Sequence, residues 1–520
     1  MVERRASEHP TRPFLQEVEG VGVTYAGADA EARRWAAAYR ALGVGPGDHV
    51  VSLLPTGVAS VVSWLGLGWL RAVEVAANTE YRGVMLEYVL RDSGARLAVV
   101  AQRYLDRLAT SEAVAGLDAV VVPDADGPFA PLACPVIGAG SFFAAGVDAP
   151  FDVTTRPEPW DTACIIYTSG TTGPSKGVLV PWGQLHASSP LEWSTGAAEE
   201  CQYVPYPMYH VAGKAPVYLM ARLGGRVVLR NGFRGPAFWD DIRRHGCTVT
   251  ILAGTMQGFL LQQDERSDDG DNPLRVAIMA PVIAEFERFA RRFGVEIRTG
   301  FNMTEISLPL LFADGIGDAR SCGAARQGYP GYEVRVVDEH DREVPPGTTG
   351  ELVVRTAIPW TLNAGYWGKP EATATAWRNG WFHTGDAFTR DEAGHYFFVD
   401  RVKDTIRRRG ENISSFEVEA IVAEHPAVAE CAAVAVPAEL GEDEVLVVVV
   451  RRPGGTLEPA ELIRFLISRM PRFMVPRYVE LTDELPKTEA TQRVRKHDLR
   501  QRGVTAAAWD REAAGTQPPP

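Results

Sequence analysis

Short apolar runs and longer amphipathic stretches alternate along most of this chain. Runs of four to six mostly apolar residues predict buried strands, and apolar residues that recur every three or four positions predict helices. The predicted strands cover residues 50–55, 97–100, 119–122, 163–166, 226–229, 248–252 and 275–278, and the predicted helices cover 28–42, 61–77, 239–245 and 285–293. Because strands alternate with helices, the pattern predicts parallel sheets with helices on their faces.

The pattern changes twice in the second half of the chain. From about Tyr332, short strands at 333–337 and 350–354 predict a small β-rich subdomain, and around Asp400 a compact unit of strands and helices begins. The predicted fold class is therefore α/β. A large N-terminal domain (residues 1–400) holds two αβα sheet subdomains plus the β-rich subdomain, and a small α+β C-terminal domain covers 401–500. The Ala- and Pro-rich tail at 501–520 is predicted to be disordered.

A stretch rich in glycine and hydroxyl side chains, Tyr167-Thr-Ser-Gly-Thr-Thr-Gly-Pro-Ser-Lys-Gly177, follows the predicted strand at 163–166. Its three glycines permit a sharp turn and close approach to a ligand. Five hydroxyls, backbone N–H groups and Lys176 offer donors and a positive charge to phosphate oxygens. The spacing differs from that of a Walker A loop. A phosphate-binding loop is the prediction, and a flexible surface loop is the plainer alternative.

Two further stretches carry groups suited to a nucleotide. Gly300-Phe-Asn-Met-Thr-Glu305 offers an aromatic ring for a purine, a hydroxyl for a phosphate and a carboxylate oxygen for Mg²⁺. Trp381-Phe-His-Thr-Gly-Asp386 ends in a carboxylate that can accept both ribose hydroxyls. The start of a capped helix would explain Thr304 and Glu305 equally well if that motif stood alone.

Together these motifs resemble those of the adenylate-forming superfamily, which includes acyl-CoA synthetases, luciferases and peptide-synthetase adenylation domains. The resemblance runs from about Phe14 to Arg500, and the run from Arg407 to Glu417 is most similar to the carnitine/crotonobetaine-CoA ligase-like branch. Such enzymes join an acid to AMP, release pyrophosphate and pass the acyl group to a second nucleophile.

The resemblance implies a role for each matching position. It implies Lys176, Thr304, Glu305 and Arg493 as catalytic residues, Glu305 as the Mg²⁺ ligand and Lys403 as the hinge. Residues implied to bind ATP or AMP are Thr168, Ser169, Gly170, Thr171, Thr172, Gly173, Ala280, Pro281, Phe301, Asn302, Asp386 and Arg401. Residues implied to line the substrate pocket are Tyr209, His210, Met279 and Asn302. CoA is the simplest acceptor of the acyl group.

The chain departs from the family pattern at the acid pocket and near the C-terminus. Phe301 stands where the family usually has tyrosine, Asn302 where it has glycine, and Met279 where it often has glycine. The usual catalytic lysine position falls on Arg493 if one residue is inserted. Arginine keeps the charge but is a planar fork rather than a compact point charge. These departures affect the acid pocket and the adenylation step.

Composition narrows the functional classes. The net charge of -13 argues against non-specific nucleic-acid binding. The six cysteines are scattered without a CxxC pair, which favours reduced thiols over zinc ligands or disulfides. The N-terminus lacks the apolar core of a signal peptide, and charged residues interrupt the apolar stretch at 61–77. We therefore expect a cytoplasmic protein without a membrane span; the oligomeric state stays open.

Three hypotheses follow. The first is an ATP- and Mg²⁺-dependent ligase that activates a small or aromatic acid and transfers it to CoA or another nucleophile. The second is a diazotase that activates nitrite and diazotises an aromatic amine, which would suit Phe301, Asn302, Met279 and Arg493. The third is a binding protein without catalysis, against which the retained Lys176, Glu305, Asp386 and Arg401 argue.

Overall fold

The computed structural model describes residues 1–147, 156–168, 175–196, 199–283, 285–312, 316, 318–401, 405–408, 411–438, 442–486, 494 and 496–515. Its first elements are α1 Val2–Glu8, β1 Pro13–Glu17, β2 Gly22–Thr24, α2 Tyr25–Ala41, β3 His49–Leu53, α3 Val58–Trp69, β4 Val73–Ala76, α4 Gly83–Asp92, β5 Leu97–Val100, β6 Ala119–Val122, β7 Val136–Gly138, α5 Ala139–Ala145, β8 Thr162–Thr168, β9 Lys176–Pro181, α6 Trp182–Ala187, β10 Cys201–Val204, α7 Val211–Leu223, β11 Arg226–Leu229, α8 Phe238–His245 and β12 Val249–Leu252.

The remaining elements are α9 Gly254–Leu261, β13 Val276–Met279, α10 Phe286–Phe293, β14 Glu296–Met303, β15 Ser307–Phe312, β16 Ser321–Ala325, β17 Tyr332–Val337, β18 Gly350–Thr356, α11 Pro370–Ala376, β19 Phe382–Arg390, β20 His395–Arg401, β21 Thr405–Arg408, β22 Glu411–Ser414, α12 Ser415–Ala423, β23 Val428–Pro437, β24 Asp443–Arg451, α13 Pro459–Ile467, β25 Tyr478–Thr482, α14 Lys496–Arg502 and β26 Trp509–Asp510.

The first sheet has seven strands in the order β7-β6-β5-β3-β4-β8-β9. The pairings of β3 with β4 and β5, of β4 with β8, and of β6 with β5 and β7 are parallel. Strands β4, β5 and β6 are buried at every position. Parallel strands covered on both faces need continuous apolar runs, which explains why the runs at 97–100 and 119–122 predicted these strands correctly.

The second sheet has thirteen strands in the order β17-β18-β19-β20-β16-β15-β14-β13-β12-β10-β11-β1-β2. Strands β10 to β14 pair in parallel, and β15 turns back on β14 as an antiparallel neighbour. The predicted β-rich region therefore continues the second sheet through β15 and β16. This sheet carries two of the three predicted nucleotide motifs, one at the end of β14 and one on β19.

Two compact units make up the chain. One comprises residues 1–79, 89–167 and 177–400, and contains the second sheet and most of the first. The other comprises 80–88, 168–176 and 401–520. Its C-terminal part holds the β21-β22 pair and the four-stranded sheet β23-β24-β25-β26 with α12, α13 and α14. The α/β fold class, with a large N-terminal and a small C-terminal domain, is confirmed.

Two predictions about local structure were wrong. The helix predicted at 61–77 ends at Trp69, where Arg71 adopts a φ of 54°, and Val73–Ala76 form the buried strand β4 instead. Apolar residues continue from the helix into the strand with only Arg71 and Glu74 between them, so the pattern marks no boundary. The tail predicted to be disordered is ordered at 501–515: β26 pairs with β25, and Arg511 donates to the Pro476 carbonyl at 3.0 Å.

No helix in the described part of the chain combines the length and the apolar character needed to cross a membrane. The apolar stretch at 61–77 is divided between α3 and β4, both of which lie in the core of the first sheet.

Candidate nucleotide and acid site

The predicted phosphate loop joins β8 to β9. Thr168 is the last residue of β8 and Lys176 the first of β9, whereas Ser169, Gly170, Thr171, Thr172 and Gly173 lie outside the described residues. A buried strand leads into the loop, as the sequence predicted, and a second strand, β9, which was not predicted, follows it.

Hydrogen bonds fix the β8 strand just before the loop. The Tyr167 hydroxyl donates to the Asp92 carboxylate at 2.9 Å, and Lys369 pairs with the same carboxylate at 2.7 Å. The Trp367 indole N–H donates to the Asp92 carbonyl at 2.9 Å. Asp92 therefore ties β8 to the segment that follows β18.

Ser175, the last residue before Lys176, is held by a carboxylate from α12. The Ser175 N–H donates to Glu417 Oε1 at 2.8 Å, and the Ser175 hydroxyl makes a second, short hydrogen bond to the same oxygen. The Tyr88 hydroxyl donates to the Ser175 carbonyl at 2.9 Å. Burial raises the pKa of Glu417, and the two bonds from Ser175 oppose that increase. Nothing in the loop motif pointed to Glu417.

The second motif forms the turn between β14 and β15. Glu305 is only 7% exposed; its Oε1 accepts from the Tyr366 hydroxyl at 3.2 Å, and its carbonyl accepts both the backbone N–H and the side-chain amide of Asn363 at 2.9 Å. A buried carboxylate needs such donors. The turn is therefore fixed by the segment between β18 and α11, and Glu305 has a defined position at the end of the sheet.

A short helix holds the same turn from the other side. Gln184 of α6 donates its side-chain amide to the Thr304 carbonyl at 2.5 Å. Asn302 lies at a break in the β14–β15 register and is exposed, so its side chain is available to a ligand.

A contact between two aromatic rings joins the Gly300–Glu305 motif to the strand that carries the Trp381–Asp386 motif. Phe301 on β14 and Phe388 on β19 pack edge to face with centroids 4.9 Å apart. Asp386 lies two residues before Phe388 on the same strand and is 2% exposed. The two strands are separated in the sheet by β15, β16 and β20, so side-chain packing brings these motifs to one face.

Glu351 supports the backbone in front of Asp386. Its carboxylate accepts from the Gly385 N–H at 2.9 Å and lies 2.9 Å from His383 Nδ1. Burial raises the pKa of Glu351, but the bonds from His383 and Gly385 outweigh it and hold the pKa below its ordinary value. Gly385 has a φ of 71°, which a side chain would strain. His383 is 6% exposed and serves this network.

Tyr209 and His210 stand at the start of α7. His210 is the N-cap residue, and its Nδ1 accepts from the Ala212 N–H at 3.1 Å. The imidazole also stacks on Tyr206, with centroids 6.4 Å apart. Because Nδ1 accepts, Nε2 carries the proton of the neutral ring. Both Tyr209 and His210 are partly exposed, as a pocket-lining role requires.

The position of Met279, the last residue of β13, differs from the prediction. The Met279 side chain is fully buried in the core with Phe289 and Leu252, because β13 is an inner strand whose two faces are both covered. Its predicted place in the acid pocket is not what this structure shows. Ala280 is partly buried and Pro281 is exposed, and Gln257 donates to the Pro281 carbonyl at 2.8 Å.

Besides the five loop residues, three predicted residues have no described side chain. The side chain of Arg401, at the end of β20, and the whole of Lys403 and Arg493 lie outside the described residues. Conversely, the sequence motifs did not reveal the residues that hold the site in position: Tyr366, Asn363, Gln184, Glu351 and Glu417. Each is an ordinary polar residue far along the chain from its partner.

Comparison with known proteins gives consistent results. Residues 2–367 match the family described as AMP-binding enzyme, and residues 417–491 match the AMP-binding enzyme C-terminal domain. A feruloyl-CoA synthase from Amycolatopsis sp is 33% identical over 509 residues, covering 96% of this chain and 97% of the relative. A crotonobetaine/carnitine–CoA ligase from Salmonella arizonae is 30% identical over 486 residues, covering 91% and 92%. The structure of ATP-bound MatB from Rhodopseudomonas palustris is similar with a TM-score of 0.67 and 26% identity, covering 96% and 98%.

Proposed function

Because this chain belongs to the AMP-binding enzyme family, we propose that it is an ATP-dependent ligase that activates an acid as its AMP ester and transfers it to CoA. One observation carries the proposal: the Phe301–Phe388 contact joins two motifs predicted to bind ATP, each of which carries a buried carboxylate, Glu305 in one and Asp386 in the other. CoA as acceptor is supported by the names of both relatives, a crotonobetaine/carnitine–CoA ligase and a feruloyl-CoA synthase.

The proposed first step is attack of an acid oxygen on the α-phosphorus of ATP. An O–P bond forms, the bond from the α-phosphorus to the bridging oxygen breaks, and pyrophosphate leaves. Lys176 and the loop N–H groups stabilise the charge on the phosphate oxygens. In the second step the CoA thiolate attacks the acyl carbon, and AMP leaves with the bonding electrons.

The proposed roles of the nucleotide ligands follow from the family resemblance of their motifs. Asp386 accepts the two ribose hydroxyls, and the Phe301 ring lies against the adenine. Glu305 fits a magnesium ion, because it is an oxygen ligand whose carboxylate already has fixed partners and a hard cation requires such oxygens. When bound, Mg²⁺ neutralises charge on the triphosphate.

The acid is proposed to lie beside Asn302, Tyr209 and His210. The exposed Asn302 amide adds a polar group where the family has glycine, which favours a small acid or an aromatic acid with a hydrogen-bonding substituent. Arg493 is proposed to replace the usual catalytic lysine, and Arg401 and Lys403 keep their proposed roles as nucleotide ligand and hinge.

The test measures AMP and pyrophosphate release with ATP, Mg²⁺, CoA and a panel of acids that includes ferulate and crotonobetaine, the acids in the relatives' names. We expect AMP and a thioester with at least one acid. In Asp386→Asn, kcat/KM for ATP should fall at least about tenfold, because a neutral amide accepts ribose hydroxyls more weakly. The exposed Asp264→Asn is the matched control and should be unchanged.

A parallel arm replaces the acid and CoA with nitrite and an aromatic amine. AMP only in this arm, with a diazo product, would overturn the ligase in favour of the diazotase. The buried position of Met279 removes one of the departures that suggested nitrite, so the ligase is the better supported reaction. ATP binding with no AMP in either arm would favour a binding protein.

A further inference from the structure

A cavity of about 500 Å³ lies in the larger unit, apart from the candidate site. It opens between α1, α2, α3, α6 and α7, and its described lining includes none of the residues predicted to bind ATP or the acid. Its volume is in the range of small-molecule sites. Six aromatic side chains supply most of its walls: Trp64, Trp69, Trp182, His186, Tyr218 and Tyr329.

One wall is a rigid pair of indole rings. Trp64 and Trp182 stack with centroids 5.2 Å apart, and the Trp64 N–H donates to the Ala163 carbonyl at 3.1 Å. The buried Lys214, paired with Glu74, places its ammonium 4.3 Å from the Trp64 ring centre. Gly68 permits this packing, because a Cβ there would lie 2.9 Å from the Trp182 ring. The aromatic surface is therefore preorganised.

The other wall presents ring edges. His186 packs edge to face on both Tyr218 and Tyr329, with centroids 5.7 and 5.2 Å apart, and its Nδ1 lies 3.3 Å from the Tyr218 hydroxyl. Burial and the nearby Arg222 and Arg326 lower the pKa of His186 to about 4, so the ring is neutral at pH 7. These rings continue the aromatic surface of Trp182, whose centroid lies 6.4 Å from that of Tyr218, so the lining offers both ring faces and ring edges to a planar ring.

Three charged side chains of the lining, those of Glu3, Asp29 and Arg156, are already paired. Arg33 binds Glu3 at 3.0 Å and Asp29 at 2.8 Å, and Arg156 binds Glu3 at 2.9 Å. A charged ligand would lose its hydration without gaining a dedicated counter-ion there. The lining therefore favours an uncharged ligand.

Helix α6 connects this cavity to the turn that carries Glu305. Trp182, Gly183 and His186 line the cavity, whereas Gln184 of the same helix donates to the Thr304 carbonyl. Gln184 is 1% exposed, and its Oε1 has no hydrogen-bond partner within the described residues. A ligand that displaces α6 would alter the hydrogen bond from Gln184 to the Thr304 carbonyl, which holds the turn.

We propose that this cavity is a binding site for an uncharged planar aromatic molecule of one or two fused rings, and that α6 couples its occupancy to the Thr304–Glu305 turn. The binding itself does not depend on the proposed function; the coupling rests on it.

Calorimetric titration of the full chain with indole tests the binding. We expect one saturable site with a Kd in the range of about 0.1–1 mM, and at least about tenfold weaker binding of indoxyl sulfate, which is charged, and of cyclohexanol, which is not planar. Leu65→Trp should abolish indole binding, because Leu65 is a partly exposed residue of the lining. Leu191→Trp is the matched control: Leu191 is 50% exposed and lies outside the lining.

Tyr329→Ala gives a second variant at a residue that is 44% exposed, and it should weaken indole binding about tenfold without disturbing the core. No saturable indole binding to the wild-type chain would overturn the proposal. Unchanged indole binding in both Leu65→Trp and Tyr329→Ala would overturn it as well, as would a complete loss of indole binding at saturating ATP, because either places indole elsewhere.

The coupling is tested by the KM for ATP with and without saturating indole. We expect a change of at least about twofold in the wild-type protein and none in Leu65→Trp, whose activity without indole should be unchanged. Indole binding without a change in KM would overturn the coupling alone. If the protein forms no AMP with any acid, the proposed function fails while the titration still decides the binding site.

Discussion

Glu417 Oε1 accepts two hydrogen bonds from Ser175, one from the backbone N–H at 2.8 Å and one from the hydroxyl. Ser175 immediately precedes Lys176, the cation predicted to contact phosphate. A single carboxylate on α12 therefore fixes the end of the phosphate loop in the smaller unit.

Glu417→Gln should lower kcat/KM for ATP by about three- to tenfold. The amide keeps the shape and one acceptor oxygen but loses the charge that strengthens both bonds. Steady-state kinetics with saturating acid and CoA would measure the change. Glu424→Gln, at an exposed position just after the same helix, should be without effect; an equal loss in both variants would mean that Glu417 has no special role.

Tyr366→Phe should reduce kcat/KM about tenfold and raise the Mg²⁺ concentration needed for half-maximal activity. The change removes the hydroxyl that donates to Glu305 Oε1 at 3.2 Å, and a hydrogen bond to a buried charged group is worth about 1.5–3 kcal/mol. The readout is AMP release as a function of Mg²⁺. Tyr104→Phe, at a buried tyrosine far from Glu305 in the chain, is the control. An unchanged Mg²⁺ dependence would separate Tyr366 from the metal ligand.

The motifs were predictable because each places its chemistry within a few adjacent residues. Glu305 and Asp386 could be identified because their motifs resemble those of the family, and in the structure Asp386 lies on β19 and Glu305 in the turn after β14. Their partners could not be identified in this way. Tyr366 is 61 residues from Glu305, Gln184 is 120 from Thr304 and Glu417 is 242 from Ser175, so only the folded chain brings them together.

The errors in the fold prediction have local causes. Between Trp69 and Val73 the helix α3 gives way to β4 with a single charged residue, the left-handed Arg71, between two apolar stretches. In the tail, Trp509–Asp510 form a strand too short to show periodicity, and its order depends on pairing with Tyr478–Val479 and on the Arg477–Asp510 ion pair. Met279 was assigned to the pocket from its neighbours in sequence, whereas its strand turns it into the core.

Arg493→Ala should slow ATP–pyrophosphate exchange at least about tenfold and affect thioester formation from a preformed acyl adenylate much less. The positive charge is proposed to act on the α-phosphate only in the first step. Arg493→Lys restores the charge and should recover most of the exchange rate, although a point charge differs from a planar fork. Exchange of labelled pyrophosphate measures the first step alone. The control is Arg464→Ala, at an exposed position of α13; equal rates in Arg493→Ala and wild type would exclude the proposed role.

The stability of the smaller unit should depend on the protonation of Glu411. Burial raises the pKa of Glu411 to about 7, and the neighbouring carboxylates Glu80 and Glu442 add to the increase. A folded-state pKa above the ordinary value of 4.5 means that the folded form is stabilised by the protonated group. This contribution is complete below about pH 4.5 and is lost as the pH rises to about 7.

Glu411→Gln should therefore be more stable than the wild type above about pH 7, and the difference should shrink towards about pH 4.5. A pKa difference of about 2.5 pH units corresponds to at most about 3 kcal/mol, and the partial exposure of Glu411 lowers the expected gain further. Thermal unfolding midpoints of both proteins across this pH range measure the effect. Glu484→Gln, at an exposed carboxylate, should show no pH-dependent difference from the wild type. A constant offset between Glu411→Gln and wild type would mean that packing rather than protonation sets the stability there.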